Sequence, residues 1–151
     1  MLHIETTWGS IEVDLIDGRV VHCALPFLAG QPETPFAIKA GGSDPASKFV
    51  IAALNGKTAG KPALGKPEGT DFQEQVWQAI ARIPAGKTIS YGELAIAIGR
   101  PRAYRAVANA CGRNPLPVFI PCHRVVATHG KIGGFSSGLA WKRLLLTAEQ
   151  A

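Results

Sequence analysis

Residues 90–115 read SYGELAIAIGRPRAYRAVANACGRNP, and their punctuation decides the fold. Ser90-x-x-Glu93 is a capping box, in which the serine hydroxyl takes a free helical N–H and the glutamate reaches back to the serine's own N–H. It opens a short helix, Tyr91 to Ile98, that Gly99 stops. Arg100-Pro101-Arg102 is a tight connection, with Pro101 placed to start a second helix ending at Gly112. Helix, short turn and helix, with small residues throughout, is a helix-turn-helix pattern. The second helix carries Arg102, Arg105 and Arg113.

Upstream, Thr70-x-x-Gln73 is another capping box, and Phe72, Val76, Trp77 and Ile80 form an apolar stripe that ends near Pro84. Downstream of Asn114-Pro115, the apolar run Val118-Phe119-Ile120 leads into Pro121-Cys122-His123-Arg124. A glycine-rich loop (Gly130, Gly133, Gly134, Gly138) follows, then an amphipathic helix from Leu139 to about Glu149 that packs Trp141, Leu144 and Leu145. The first 25 residues read as a hairpin. Ile11, Val13 and Leu15 alternate with acidic residues, Asp17-Gly18 makes the turn, and Val21, Cys23 and Leu25 alternate on the second strand. Residues 26–45 read as an irregular connection. Asp44-Pro45 caps a helix through Leu54 that Gly56 stops. Lys57 to Gly69 has neither period. The expectation is therefore an α/β fold with a small strand-containing N-terminal subdomain over 1–69, including a linker at about 57–69. A mainly helical, winged-helix-like C-terminal subdomain follows over 70–151.

The 151 residues suit one ordinary domain or two small ones, and 46% hydrophobic with 18% charged residues excludes a disordered chain. No apolar run approaches the ~18–20 residues of a membrane span, and no signal-peptide pattern opens the chain. A soluble, intracellular, cytoplasmic protein without membrane association is expected. Three cysteines argue against a disulfide framework. The net charge of +5 is unevenly placed: residues 1–70 hold six Lys/Arg against seven Asp/Glu, and residues 71–151 hold ten against four. A polyanion would meet the second half. His3, His22, Cys23 and His129 are scattered without paired-ligand spacing, so no metal site is predicted.

Cys122-His123 is the most reactive pair in the chain, because a thiolate is the nucleophile and an imidazole lowers the cost of forming it. Adjacent residues of an extended segment face opposite ways, which favours a bridging water over direct contact. The orienting acid for His123 is Asp71, Glu74, Glu93 or Glu149. Cys23 and Cys111 read as core packing.

Arg105-Ala106-Val107, Ala110, Arg113-Asn114-Pro115 and Ile120-Pro121-Cys122-His123-Arg124-Val125-Val126, in register, resemble the signature of the O6-alkylguanine-DNA alkyltransferases. Thr70-x-Phe72, Val76-Trp77, Ile83-Pro84-x-Gly86, Ser90-Tyr91, Gly133-Gly134-Phe135-Ser136, Gly138-Leu139, Lys142, Leu144-Leu145 and Glu149 extend the likeness over about residues 70–149. The resemblance implies direct repair of alkylated guanine in double-stranded DNA by a single-turnover protein that needs no cofactor or metal. It places the reactive thiol at Cys122, activated by His123 through water, with Glu149 orienting the histidine and Asn114 bracing the network. Tyr91 matches the donor to the leaving guanine. Ser136 and the Cys122 and Val125 carbonyls match groups that read the base.

Arg105 matches the residue that fills the gap left by the flipped nucleotide. The family presents the second motif helix to the minor groove, where Ala103, Ala106, Ala108 and Ala110 permit close approach. Tyr104, Phe135 and Cys111 depart from the common family residues; Cys111 is expected near the pocket, as packing or as a second thiol open to oxidation, and Pro117 near the pocket mouth. A monomer in solution is expected, with assembly of several copies on DNA left open. The alternatives are a non-enzymatic alkyltransferase-like lesion binder, which replaces the cysteine this chain keeps, and a helix-turn-helix regulator, which would not need Cys122.

Overall fold

The computed structural model describes residues 1–150. Three consecutive strands, β1 (Leu2–Thr6), β2 (Gly9–Ile16) and β3 (Arg19–Ala24), and the short β4 (Ile38–Ala40) form an antiparallel sheet in the order β3-β2-β1-β4. The expected hairpin is thus part of a larger sheet. β1 escaped the sequence reading because only Ile4 and Thr6 turn inward, and Thr6 is polar. Its hydroxyl is satisfied by donating 2.7 Å to the Gly9 carbonyl. β4 has only three residues, too few for a period.

The expected alternation on β3 also shifts. A register irregularity between Asp14 and Leu15 turns Val20 and Cys23 inward instead of Val21 and Cys23. The stretch read as a periodless linker is tied to the same strand: Val20 donates to the Ala63 carbonyl at 2.9 Å and Gly65 donates to the Val20 carbonyl at 2.8 Å. The outer edge of β3 is thereby partly covered.

The helices are α1 (Pro45–Leu54), α2 (Asp71–Ala81), α3 (Tyr91–Ala97), α4 (Tyr104–Gly112) and α5 (Leu139–Glu149). Their caps follow from the sequence. Asp44 accepts from the Ser47 amide with Pro45 at the first helical position, and both capping boxes, Thr70/Gln73 and Ser90/Glu93, are closed reciprocally. The start of α4 differs from expectation. Pro101 lies in a turn closed by Ala103 N–H donating to the Arg100 carbonyl at 2.9 Å, so the helix begins at Tyr104. Proline's fixed φ suits the second position of such a turn as well as it suits a helix start.

Two further strands, β5 (Ile89–Ser90) and β6 (Val125–Val126), pair in parallel beside α3. One hydrophobic cluster runs through the molecule, from Ile4, Ile11 and Val13 of the sheet through Val50 of α1 to Val76, Leu94, Val107, Trp141 and Leu145. Trp8, Phe36 and Trp141 meet edge-to-face, with ring centroids 5.2–5.9 Å apart, and join the sheet to α5. No helix among the described residues is long and apolar enough to cross a membrane.

The loop between β6 and α5 is fixed by close approach. Gly138 has φ 108°, and a Cβ there would collide with the Leu28 carbonyl. Leu28 N–H donates to the Ser137 carbonyl at 3.0 Å, and the Trp141 indole donates to the Pro26 carbonyl at 2.8 Å. The segment leaving the sheet therefore straps down the loop that walls the pocket.

Candidate active site

Cys122–Arg124 form one turn of 3-10 helix where an extended segment was expected. The Arg124 N–H donating to the Pro121 carbonyl at 2.9 Å closes the turn. The divergence of neighbouring side chains survives. Cys122 lines a cavity, whereas the His123 ring, 1% exposed, turns inward.

Of the four candidate acids, Glu149 is the one that meets the ring, with its Oε1 2.7 Å from His123 Nε2. The other ring nitrogen, Nδ1, is buried without a protein partner. Burial pulls the imidazole below its ordinary range against the opposing pull of Glu149, so His123 is neutral at neutral pH and can accept a proton. Glu149 ends α5, where the helix dipole disfavours a carboxylate. Arg124 offsets this. Its Nε lies 3.0 and 3.1 Å from the two carboxylate oxygens and its Nη2 lies 2.7 Å from Oε1, while Nη1 donates to the Ile83 carbonyl at 2.6 Å. Although burial raises the Glu149 carboxyl, its hydrogen bonds and charged neighbours hold it down at about 2.

Burial pushes the Cys122 thiol up, and a hydrogen bond from the Asn114 side chain and the Lys142 charge pull it back. Asn114 also pins the approach to the turn, with Nδ2 donating to the Ile120 carbonyl at 2.8 Å and Oδ1 accepting from Leu116 N–H at 2.9 Å. The cavity measures about 390 Å³ and is lined by Tyr91, Ala108, Asn109, Cys111, Gly112, Cys122, Gly134, Phe135 and Ser136. It is of small-ligand size. A larger cleft of about 480 Å³, between α2 and α3, presents no cysteine, histidine or carboxylate.

Tyr91 stands at the first position of α3, its phenol pushed up by burial and therefore protonated. A Cβ at Gly133 would lie 2.8 Å from the phenol oxygen, so glycine lets the loop close over it. Ser136 Oγ donates to the Gly112 carbonyl at 3.1 Å and bridges the loop to the end of α4. Beneath the pocket, fully buried Lys142 donates to the carbonyls of Val125 at 2.7 Å and Gly134 at 3.0 Å. Burial lowers its ammonium to about 8. The Val125 carbonyl, expected to face the base, thus already carries one hydrogen bond.

On the outer face of α4, Tyr104, Arg105 and Ala106 are exposed, and Ala103 and Ala108 are partly covered. The Arg105 guanidinium lies 5.9 Å from the Tyr104 ring centre. One expectation needs correction. Pro117 is buried and lies outside the cavity wall, because the Asn114–Ile120 hydrogen bond folds residues 116–119 into the core. Cys111 is buried and lines the cavity, near the pocket as expected, and Cys23 is buried in the sheet face. Arg124 and Lys142 are the functional positions the sequence reading left without a role. Both stood inside the quoted motifs, but their partners lie 25 and 8–17 residues away.

Residues 71–151 match the model of the 6-O-methylguanine DNA methyltransferase DNA-binding domain. A methylated-DNA–protein-cysteine methyltransferase of Methanosarcina barkeri is 48% identical over 105 residues, spanning 70% of this chain and 66% of that protein. The Escherichia coli bifunctional transcriptional activator/DNA repair enzyme Ada is 49% identical over 100 residues, but that match covers only 28% of its length. Matched segments thus span no more than about two thirds of these relatives. Among solved structures, Mycobacterium tuberculosis OGT in complex with DNA superposes with a TM-score of 0.82 at 35% identity, covering 98% of this chain and 91% of that one. With a matching domain model over more than half its length and the whole fold shared, the chain belongs to the 6-O-methylguanine DNA methyltransferase family.

Proposed function

We propose that this protein repairs DNA by moving the O6-alkyl group of guanine irreversibly onto its own Cys122. The observation that carries the reading is a thiol on a pocket wall beside a buried, neutral histidine whose far nitrogen is held by Glu149. In that reading residues 70–151 are the alkyltransferase unit, and residues 1–69 support it. α4 enters the minor groove, where Ala106 and Ala108 allow a close fit; Ala110, expected beside them, is instead buried in the core. Arg105 takes the place of the flipped nucleotide, whose extrusion costs a few kcal/mol. The +6 balance of residues 71–151 holds the backbone, with an affinity that falls as salt rises.

The thiol proton passes through a water to His123 Nδ1, the nitrogen without a protein partner. Sulfur attacks the alkyl carbon in line, the S–C bond forms as the C–O bond breaks, and Tyr91 donates a proton to the departing guanine. The thioether has no easy return path, so each molecule acts once.

The test is mass spectrometry after incubation with duplex DNA bearing O6-methylguanine. One methyl group should appear on the Cys122 peptide, at one equivalent per protein, and a folded sample without mass gain overturns the reading. Arg105→Ala tests the flipping role. Arg105 is exposed on α4 and does not line the cavity, so its loss should slow repair in duplex DNA at least tenfold and leave reaction with free O6-benzylguanine within twofold. Equal losses on both substrates would remove Arg105 from that role.

A further inference from the structure

We infer that Cys111 is a second acceptor in the same pocket, which captures the far carbon of a two-ended alkyl group after Cys122 has taken the near one. The inference rests on the transfer chemistry proposed above. Cys111, near the end of α4, and Cys122, in the 3-10 turn, reach one cavity from separate elements. A cavity of 390 Å³ is only about 9 Å across, the scale of one small ligand. The thiols also face common neighbours, since Tyr91 and Lys142 each feel both sulfurs.

The two cysteines are unequal in a way that orders them. Cys122 has His123, held by Glu149, beside it in sequence, whereas no histidine or carboxylate lines the cavity beside Cys111. Burial, with the nearby Cys122, holds the Cys111 thiol up at about 12. Burial raises the Cys122 thiol as well, so the histidine beside Cys122 is what gives it the first transfer. A stronger electrophile is needed to engage Cys111.

A 2-chloroethyl group supplies one. After transfer, the Cys122 sulfur displaces chloride from the second carbon and forms a three-membered episulfonium ring. The Cys111 sulfur attacks a ring carbon, that carbon's bond to the ring sulfur breaks, and the thiol proton leaves to water. The net change is an ethylene bridge between the two sulfurs with loss of hydrogen chloride, and no oxidant is required. Phe135 and Tyr91 wall the cavity in which the ring forms, and the Cys111 sulfur on the same wall competes there with water for the ring carbon. A methyl lesion has no second carbon and consumes one thiol.

The experiment counts free thiols in denatured protein after reaction with duplex DNA carrying O6-methylguanine or freshly prepared O6-(2-chloroethyl)guanine. The chain starts with three. The methyl lesion should leave two, and the chloroethyl lesion one, with peptide mapping joining Cys111 to Cys122. Cys111→Ala should lose only one thiol to either lesion. An alkylated Cys122 beside a free Cys111 after chloroethyl transfer overturns the inference alone. If neither lesion consumes Cys122, the transfer reading fails, and this inference with it.

Discussion

Cys122→Ala should abolish methyl transfer completely while keeping affinity for duplex DNA that carries O6-methylguanine. Cys122 is the pocket thiol with a histidine beside it to take its proton, and the pocket's other walls are Cys111, which has none, a phenol, an amide, a hydroxyl and apolar surface. Removing one sulfur from a partly open cavity wall costs little packing, and Asn114 keeps its backbone bonds to Ile120 and Leu116. The variant should therefore fold with a melting temperature near that of the parent and hold the lesion without repairing it. Its binding, measured by fluorescence anisotropy, should match the unreacted parent within a few fold, and the DNA should retain every methyl group. Residual transfer would move the acceptor role elsewhere, with Cys111 the first place to look.

Local signals made most of the fold legible. Both capping boxes and the Asp44-Pro45 start are written within four residues of the bonds they form. What escaped depended on distant partners. β4 exists because β1 offers it an edge, and the Val20/Val21 shift on β3 arises from its pairing with β2. Pro101 obeys two local rules at once, and the Arg100–Ala103 turn won. The same division runs through the site. The reactive cysteine and its histidine are adjacent, but the choice of Glu149 over Asp71, Glu74 and Glu93 needs the final turn of α5 to lie against the 3-10 turn. Arg124 and Lys142 looked like ordinary basic residues because a carbonyl or carboxylate partner leaves no mark on the sequence beside them. Resemblance supplied residues that pattern alone could not rank.

Glu149→Gln should slow methyl transfer by a hundredfold or more, the scale on which a positioned proton acceptor acts. Glutamine keeps the shape but not the charge that opposes burial at His123. The imidazole of the variant is then a weaker base, and it accepts the thiol proton less readily. Stability should respond as well. Arg124, only 17% exposed, loses the carboxylate its Nε and Nη2 hold, and breaking such a pair costs about 3 kcal/mol. In a chain of this size that lowers the melting temperature by about 6–12 °C.

The pH dependence separates the variant from one that is merely weakened. The folded-state carboxyl of Glu149 is depressed from 4.5 to about 2, so its contribution is complete above 4.5 and is lost as pH falls from there through about 2. The parent should therefore lose stability across that window. Glu149→Gln has no such group and should show a shallower fall, with the two curves converging toward pH 2. The transfer rate should shift differently. In the parent, activity falls once His123 is protonated, at a pH below the ordinary histidine value of 6.5. Without Glu149 to favour the imidazolium, that limb moves to still lower pH while the plateau drops. Parallel stability curves would show that the fold does not hold the carboxyl down, and an acid limb that stays in place would show that Glu149 does not act through His123.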